Sequence, residues 1–255
     1  MQILLSCSKD MTDAPSVITQ RTTVPRFQRE AEQIAVNMMK YDADELVQIL
    51  KINRELGTLN KMRYTTFLEP LPRQPAIFAH TGIAYKQLHA EKMNNQQLDF
   101  AQSHLWITSF LYGLLRPLDG IKSHRLEGYV RLPEYDDLQL FTFWRPLLTD
   151  VLIDSVKADD GILLHLASAE MKGLFDWKRV KREVTVVEPK FTTIHHGKQK
   201  TIVVYVKMCR GAMTRFVIEK QPRDIELLKT FDFEGFTFDP IESNNDQMVF
   251  TLEAT

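Results

Sequence analysis

The chain has 255 residues, 44% of them hydrophobic and 25% charged, and its formal net charge is -1 at pH 7. This composition supplies a substantial apolar core for one large domain or two small ones, and it excludes a membrane-spanning chain, because no apolar run approaches the roughly 18 residues that cross a bilayer. Residues 1–5 are too short and too uncharged for an export signal. We therefore expect a cytoplasmic protein without a membrane partner.

The near-neutral total conceals a separation of charge along the chain. Residues 172–223 carry thirteen Lys and Arg against four Asp and Glu, whereas residues 224–255 carry one Lys against eight acids. Like charges at this density cannot all find local partners, so we expect the fold to present a strongly positive face. The partner that such a face attracts is a polyanion or a phosphate-bearing molecule.

In chain order, the hydrophobic pattern predicts strands that alternate with helices. The predicted elements are a strand at 3–5, helices at 25–40, 43–56, 102–115 and 142–155, strands at 162–166 and 201–208, and a helix at 212–221. Pro25 suits the first turn of its helix, and Pro117 and Pro222 suit helix ends, because proline cannot continue an α-helix. This order predicts an α/β fold, with a mixed α+β arrangement as the alternative, built on a largely parallel central sheet flanked by helices.

Small, hydroxylic or cationic residues follow the predicted strands. They are Ser6 and Lys9 after the first strand, Ser168 and Glu170 after the strand at 162–166, and Lys207 and Arg210 at the end of the strand at 201–208. Loops after the carboxyl ends of parallel strands gather at one edge of a sheet, where α/β proteins bind ligands. If these strands are parallel, Lys9, Lys207 and Arg210 converge at that edge.

Arg210 and Gly211 precede the predicted helix at 212–221, and Arg215 lies one turn along it. The unpaired amides and the dipole of a helix N-terminus favour an anion, so these residues could hold a phosphate. The alternative is that both arginines are surface side chains paired with Glu219 or with the acidic segment that follows. The sequence leaves both interpretations open.

A second basic group lies between residues 111 and 131. A glycine and a proline impose a sharp turn after the predicted helix, and the basic residues in and after this turn are Arg116, His124, Arg125 and Arg131. Such a turn can present amides and arginines to a nucleic-acid backbone. The alternative is an apolar corner packed by leucines, with Asp119 neutralising Arg116 or Arg125.

Metal and cofactor chemistry finds little support in the sequence. Residues 195–197 (His-His-Gly) are typical of a hairpin tip, where adjacent side chains point to opposite faces. Cys7, Cys209 and His165 could meet at one sheet edge but lack a characteristic ligand spacing, and the two distant cysteines indicate reduced thiols. The chain contains no dinucleotide fingerprint, P-loop or nucleophile elbow. We expect no metal site and no cofactor.

Several separate motifs occur from one end of the chain to the other. They are Ile3-Leu4-Leu5-Ser6 with Lys9, Asn60 with Arg63, Asp99 to Leu105, Leu111 to Asp119, Arg125-Leu126-Glu127, Phe143-Trp144, Leu166-Ala167-Ser168 with Glu170, Arg210 to Phe216, and Phe233 to Phe236. In this order the motifs resemble those of the YaaA family of bacterial peroxide-stress proteins. The resemblance covers nearly the whole chain and implies a single compact domain over residues 1–255.

The resemblance implies a cytoplasmic protein that limits free iron during hydrogen peroxide stress, so that less oxidative damage reaches DNA. It also implies a basic cleft, DNA binding that is largely independent of sequence, and a helix-hairpin-helix-like element, which we assign to residues 111–119. Matching motifs place the DNA- or phosphate-binding residues at Ser6, Lys9, Arg63, Arg116, Arg125, Arg131, Lys207, Arg210 and Arg215. The resemblance assigns no catalytic residue.

Three segments depart from the family pattern, and one of them is Arg145-Pro146 after Phe143-Trp144, in place of a Gly-Asp pair. The other two lie earlier in the chain. Relatives commonly carry Lys-Gly-Asp-Val-Tyr where this chain has Thr81-Gly82-Ile83-Ala84-Tyr85, and Ser-Pro-Ala-Lys-Thr where it has Ser6-Cys7-Ser8-Lys9-Asp10. The change at Thr81 and Ile83 removes a lysine and an acid. Phosphate binding would be weaker if the lysine contacts phosphate in relatives, and a reaction would be lost if the acid takes part in one.

Two functions fit the same cleft. The first is a protective protein whose cations bind DNA phosphates with little base specificity. The second is an enzyme acting on a phosphorylated or nucleotide-like small molecule, in which the candidates for nucleophilic or acid-base roles are Ser6, Lys9, Ser168 and Glu170. The sequence does not decide between them.

Overall fold

Strands and helices are interspersed along the chain in the computed structural model, which describes residues 1–14, 21–195, 198–244 and 247–253. The helices are α1 Gln28–Met39, α2 Ala43–Leu50, α3 Arg54–Thr65, α4 Ala76–Ala79, α5 Ile83–Leu88, α6 Asn95–His104, α7 Leu140–Lys157, α8 Trp177–Glu183 and α9 Val203–Lys220. The strands are β1 Gln2–Leu5, β2 Gln74–Pro75, β3 Leu105–Ser109, β4 Gly113–Leu115, β5 Gly120–Ile121, β6 Arg131–Leu132, β7 Leu138–Gln139, β8 Ile162–His165, β9 Thr185–Val187, β10 Lys190–His195, β11 Lys198–Lys200, β12 Thr237–Phe238 and β13 Val249–Glu253.

β1 lies at the centre of a sheet with the strand order β4-β3-β1-β8-β9. It runs parallel to β3 and β8, and Ile3 is opposite Leu105 on one side and Leu164 on the other. These three side chains are fully buried, as expected for strands covered on both faces. β9 continues the parallel run, whereas β4 is antiparallel at the other edge. The α/β fold on a largely parallel sheet is thereby confirmed.

Helices flank this sheet: α7 contacts β4 and β8, and α9 contacts β1. The predicted strands at 3–5 and 162–166 are β1 and β8, and the predicted helices at 25–40 and 142–155 are α1 and α7. These four elements were thus identified correctly, with shifts of a few residues at their ends.

A second sheet has the order β11-β10-β13-β12 and contacts α9 through β10. β10 pairs in parallel with β13 and antiparallel with β11, where His195 is opposite Lys198. This pairing agrees with a hairpin between the two strands, but residues 196–197, at the predicted tip, lie outside the described residues. The rings of Phe191 and Phe250 pack 5.6 Å apart within the core that this sheet shares with α9.

The predicted helix at 43–56 is wrong as a single element, because the chain forms two helices there, each with its own N-terminal cap. Asp42 and Glu45 form a capping box at the start of α2, and Lys51 ends α2 in the left-handed conformation with φ at 53°. Asn53 then caps α3 by accepting the Leu56 amide at 2.9 Å. A short turn therefore joins two helices that pack against each other, which is the form of a helical hairpin.

The predicted helix at 102–115 is wrong, because α6 gives way at residue 105 to β3, a turn and β4. Ser109 Oγ accepts two backbone amides of this turn at 3.2 and 3.1 Å, and Gly113 takes the positive φ of 70° that closes it. Every residue of β3 is buried, so its apolar pattern has no polar side and fits a helix or a strand equally well. Residues 111–119 consequently do not form the expected helix-hairpin-helix element.

The predicted strand at 201–208 is also wrong, because α9 begins at Val203 and runs unbroken through this segment. The branched residues that suggested a buried strand are largely outside the core: Val203 is 65% exposed and Val204 is 47% exposed. Tertiary packing of the second half of α9 therefore overrides the β-propensity of its first turn.

The position of Arg210 changes with this correction. The predicted helix at 212–221 is only the second half of α9, so Arg210 lies in mid-helix and no helix N-terminus follows it. The phosphate site predicted from the free amides of a helix start at Arg210 and Gly211 is therefore absent from the described structure.

Candidate ligand-binding cavity

A cavity of about 430 Å³ opens at the carboxyl edge of the central sheet. Its walls come from the segments after β1 and β8, the start of α5 and the middle of α9. One part, here called the apolar floor, consists of Leu5, Phe110, Leu126, Leu166 and Met171. The polar lining includes Ser6, Cys7, Ser8, Lys9, Asp10, His124, Arg125, Glu127, Ser168, Glu170, Lys207 and Arg210. Five of the nine predicted binding residues, Ser6, Lys9, Arg125, Lys207 and Arg210, are thus brought together.

Ser6 joins the ends of β1 and β8. Its Oγ accepts the backbone amide of Ser168 at 2.8 Å, and its carbonyl oxygen accepts the hydroxyl of buried Tyr85 at 2.9 Å. Because the hydroxyl acts as an acceptor towards Ser168, its own proton remains available for a ligand. Ser6 is therefore held in one position at the cavity wall.

Glu127 lies at the cavity with a side chain that is only 4% exposed. Its Oε1 accepts from Arg125 Nε at 2.8 Å and lies 3.1 Å from Lys9 Nζ. A buried carboxylate needs such partners, since an unpaired charge away from water is costly. Lys9 and Arg125 are consequently engaged within the protein and are less available to an anion.

Lys207 and Arg210 are three residues apart on α9 and both line the cavity, so their side chains share one face of the helix. Within the described ranges, neither side chain makes an ion pair or a hydrogen bond. Burial lowers the pKa of Arg210 below its ordinary value, and the charge of Glu188 opposes that effect. These two cations therefore have unused capacity for an anion.

The charge of the cavity is mixed. Four cations line it, namely Lys9, Arg125, Lys207 and Arg210, and three carboxylates accompany them, namely Asp10, Glu127 and Glu170. Cations of the basic segment 172–223 are also paired elsewhere, as in the contacts of Arg179 with Asp150 and Glu183 at 2.6 and 2.7 Å. The strongly positive face expected from the sequence is therefore not formed around this cavity, and the excess of positive charge is concentrated on α9.

Cys7 lines the cavity but is not a reactive thiol. Burial raises the pKa of Cys7 to about 12, and the carboxylates of Glu127 and Glu170 act in the same direction. The thiolate is the reactive form of cysteine, so this side chain stays protonated and inert at neutral pH. Both Cys7 and Cys209 are free thiols.

Two buried histidines, His80 and His124, lie at or behind the cavity wall. Burial lowers the pKa of His80 to about 3 and that of His124 to about 4, so both rings are neutral at pH 7. His124 Nδ1 donates to the Lys122 carbonyl at 2.9 Å, which leaves its Nε2 as an acceptor. His80 Nδ1 accepts the Ser8 amide at 3.3 Å and thereby holds the segment after β1.

Arg116 is at the opposite edge of the sheet, so its predicted place in the cleft is wrong. Its guanidinium lies 3.4 Å from the centre of the Trp106 ring. It donates to Gln2 Oε1 at 3.2 Å and to the Leu105 carbonyl at 3.1 Å. Gln2 and Leu105 are the first residues of β1 and β3, and the parallel strands end on the other side. Arg116 therefore closes the amino edge.

The three remaining predicted arginines do not line the cavity either. Arg63 on α3 donates to Asp13 at 2.9 Å, and its charge helps to lower the pKa of His124. Arg131 pairs with Asp137 across the β6-β7 hairpin at 3.1 Å. Arg215 lies one helical turn from Glu219, with Nε and Oε1 3.8 Å apart. The alternative of a pairing with Glu219 therefore holds for Arg215, whereas Arg210 makes no such pair among the described residues.

Sequence reasoning missed Glu127 as a site residue, although the spacing Arg125-x-Glu127 places an acid close to a predicted cation. It also did not identify the apolar floor. Ile83, at the position where the resemblance led us to expect an acid, lines the cavity and adds to its apolar surface. Thr81, in place of the lysine, donates its amide to the Asp10 carbonyl at 3.0 Å and so supports the adjoining segment.

In the ranges that the structure describes, no helix is both long and apolar enough to cross a bilayer. Among the same residues, no group of three or more His, Cys, Asp and Glu side chains is arranged to hold a metal ion.

Fold and cavity together define the class: an α/β protein with a mixed-charge cavity at the carboxyl edge of a parallel sheet, where ligands bind in such folds. Residues 1–242 match the family described as peroxide stress protein YaaA. The chain is 46% identical over 253 residues to a UPF0246 protein of Phocaeicola vulgatus, which covers 99% of each chain. It is 34% identical over 256 residues to a UPF0246 protein of Desulfotalea psychrophila, with 98% of each covered. The chain belongs to the peroxide stress protein YaaA family.

Proposed function

We propose that this peroxide-stress protein binds DNA phosphates at the mouth of the cavity, in the cytoplasm, and so limits free iron and oxidative damage to DNA. One observation carries the proposal: Lys207 and Arg210 line the cavity on one face of α9 without an ion-pair partner among the described residues. Phosphate oxygens would supply the anionic partner that both side chains lack, without reading base sequence.

The helical hairpin of α2 and α3 supports the same proposal. Lys51, in its turn, lies 4.8 Å from the centre of the Tyr129 ring. Burial raises the pKa of Tyr129, and the nearby charges of Glu127 and Glu170 raise it further. The turn is therefore close to the acids of the cavity, and a nucleic-acid strand held at α9 could also contact Lys51.

Fluorescence anisotropy with a labelled DNA duplex over a salt series tests this proposal. With two phosphate contacts, the logarithm of the binding constant should fall with the logarithm of salt concentration with a slope of about -2, since each contact contributes roughly -0.9. The double variant Lys207→Ala, Arg210→Ala should lose most of that slope. The control Lys220→Ala, Arg223→Ala removes the same charge beyond the cavity and should bind as the wild type does. Undetectable or salt-independent binding rejects the proposal.

A second candidate function is an enzyme that acts on a phosphorylated or nucleotide-like small molecule. It is favoured by a specific observation: the fixed hydroxyl of Ser6, the amide of Ser168 and the exposed carboxylate of Glu170 lie around a cavity of about 430 Å³. That volume falls within the range of small-molecule sites, roughly 300–1,000 Å³. Incubation of a metabolite extract with wild type, Ser6→Ala and Lys9→Ala tests for turnover, and identical profiles for all three would count against catalysis.

A further inference from the structure

We propose that the cavity holds one unpaired nucleotide, with its phosphate on Lys207 and Arg210 and its N–H or O–H groups on Glu127. This inference rests on the phosphate binding proposed above and names the ligand of the same site. The nucleotide could come from DNA, as a base that has left its stack, or from solution, as a free mononucleotide. The experiment below separates these two sources.

Glu127 provides the first argument, because it is a charged acceptor fixed inside the cavity. Arg125 and Lys9 both contact its Oε1, while its Oε2 makes no hydrogen bond to any residue of the described ranges. The two cations hold the carboxylate in one place. An ionised carboxylate accepts hydrogen bonds and cannot donate them, so it selects a ligand with N–H or O–H groups and repels a second phosphate.

The apolar floor provides the second argument, because its apolar side chains favour a ligand with a flat or apolar part. Phe110 and Met171 are each at most 5% exposed, and Phe110 is fixed by an edge-to-face contact with Phe141 at 5.4 Å. Bases stack on or pack against such side chains when they are not paired in a duplex. A sugar phosphate without a base would leave this floor uncovered.

The two cations of α9, the Glu127 carboxylate and the apolar floor together favour a ligand with three features. These are a phosphate, hydrogen-bond donors and a flat apolar body. A nucleotide combines them. The volume of about 430 Å³ suits one nucleotide and not a base pair within its helix. A base in intact duplex would have to unpair and unstack before entering, which costs a few kcal/mol. Single-stranded DNA should consequently bind more tightly than duplex of the same sequence.

A single-stranded oligonucleotide carrying one 2-aminopurine, the same oligonucleotide in duplex, and the four deoxynucleoside monophosphates test the inference. Binding to the wild type should raise 2-aminopurine fluorescence severalfold, because the base leaves its neighbours, and should favour the single strand over the duplex by about tenfold or more. Glu127→Gln should reduce both effects. Glu219→Gln, which removes an acid from α9 away from the cavity, should reduce neither.

The outcomes separate this inference from the proposed function. Monophosphate binding measured by calorimetry with an affinity near that of the oligonucleotide assigns the site to free nucleotides, whereas binding of the oligonucleotide alone assigns it to DNA. Equal affinity for single strand and duplex, without a fluorescence change and without monophosphate binding, overturns the inference and leaves DNA binding at the cavity mouth intact. Failure of every nucleic acid and nucleotide to bind overturns both. These wild-type measurements decide the matter even if Glu127→Gln does not fold.

Discussion

Gly211 of α9 packs so closely on α5 that a Cβ at residue 211 would lie 1.9 Å from the carbonyl oxygen of Ala84. No side chain can be accommodated at that distance without moving backbone. Ala84 and Arg210 both line the cavity, so this contact also fixes the position of the cation-bearing face of α9. A glycine in mid-helix, which is ordinarily unfavourable, is here required by the approach of two backbones.

Gly211→Ala should therefore destabilise the protein, although alanine in a helix interior normally gains about 0.5–1 kcal/mol over glycine. The overlap with backbone leads us to expect a loss of about 2 kcal/mol or more in the free energy of unfolding. Urea unfolding followed by tryptophan fluorescence measures the change. Val204→Ala, at an exposed position of the same helix, is the control and should change stability by less than about 0.5 kcal/mol. A variant at least as stable as the wild type would contradict the packing described here.

The central sheet could be predicted only in part from the sequence. β1 and β8 were recognisable because short apolar runs bounded by polar loops have few other interpretations. β3 was not recognisable, because all its residues are buried and Ile107 also fits the stripe of a helix. The first turn of α9 was predicted as a strand for a different reason. Val203 and Val204 are β-branched residues typical of buried strands, but here they are exposed on a helix.

The candidate site was predictable to a similar extent. Ser6 and Lys9 follow β1, which was identified correctly, and they lie at the carboxyl edge of the sheet because that strand ends there. Lys207 and Arg210 reach the same cavity from a helix, although the strand that led to their placement does not exist. That they bind a phosphate stays a prediction. Arg116 could not be placed, because a charge next to a turn does not reveal at which edge of the sheet the turn lies.

Cys7 gives a prediction about reactivity. With a pKa raised from 9.0 to about 12, the thiolate fraction at pH 7.5 should be about a thousandfold lower than for an ordinary cysteine. We expect alkylation of Cys7 by iodoacetamide in the folded protein to be at least about a hundredfold slower than in urea. Mass spectrometry of the Cys209→Ala variant isolates Cys7. Equal rates in the folded and unfolded states would show that the thiol is accessible and ionised, and would make direct oxidation by peroxide plausible.

Arg116 gives a prediction that separates stability from binding. Arg116→Ala removes the contact with Trp106 and two hydrogen bonds at the amino edge of the sheet, so we expect the free energy of unfolding to fall by about 1–3 kcal/mol. Arg116→Lys keeps the charge but not the planar stacking and should recover only part of the loss. DNA affinity, measured by anisotropy well below the unfolding temperature, should equal that of the wild type for both variants. Weaker DNA binding by a variant whose stability is unchanged would show that Arg116 contributes to DNA binding, contrary to its position in the structure.

The buried histidines give a prediction about pH. Burial holds the pKa of His80 at about 3 and that of His124 at about 4, below the ordinary value of 6.5. Between these values the unfolded chain binds protons that the folded protein excludes. The stability contributed by the neutral rings is therefore complete above pH 6.5 and is lost as the pH falls towards 4, at about 1.4 kcal/mol per pH unit for each histidine.

His124→Gln should make this acid dependence shallower by about 1.4 kcal/mol per pH unit between pH 6 and pH 4.5. The reason is that residue 124 of the variant no longer takes up a proton when the chain unfolds. Urea unfolding at pH 7, 6, 5 and 4.5 gives the slope directly. His89→Gln, on the surface beside Glu91, is the matched control and should retain the slope of the wild type. Carboxylates add an acid dependence of their own, but they are common to all three proteins and cancel in the comparison. A His124→Gln slope as steep as that of the wild type would mean that this ring is already charged, or can be hydrated, inside the fold.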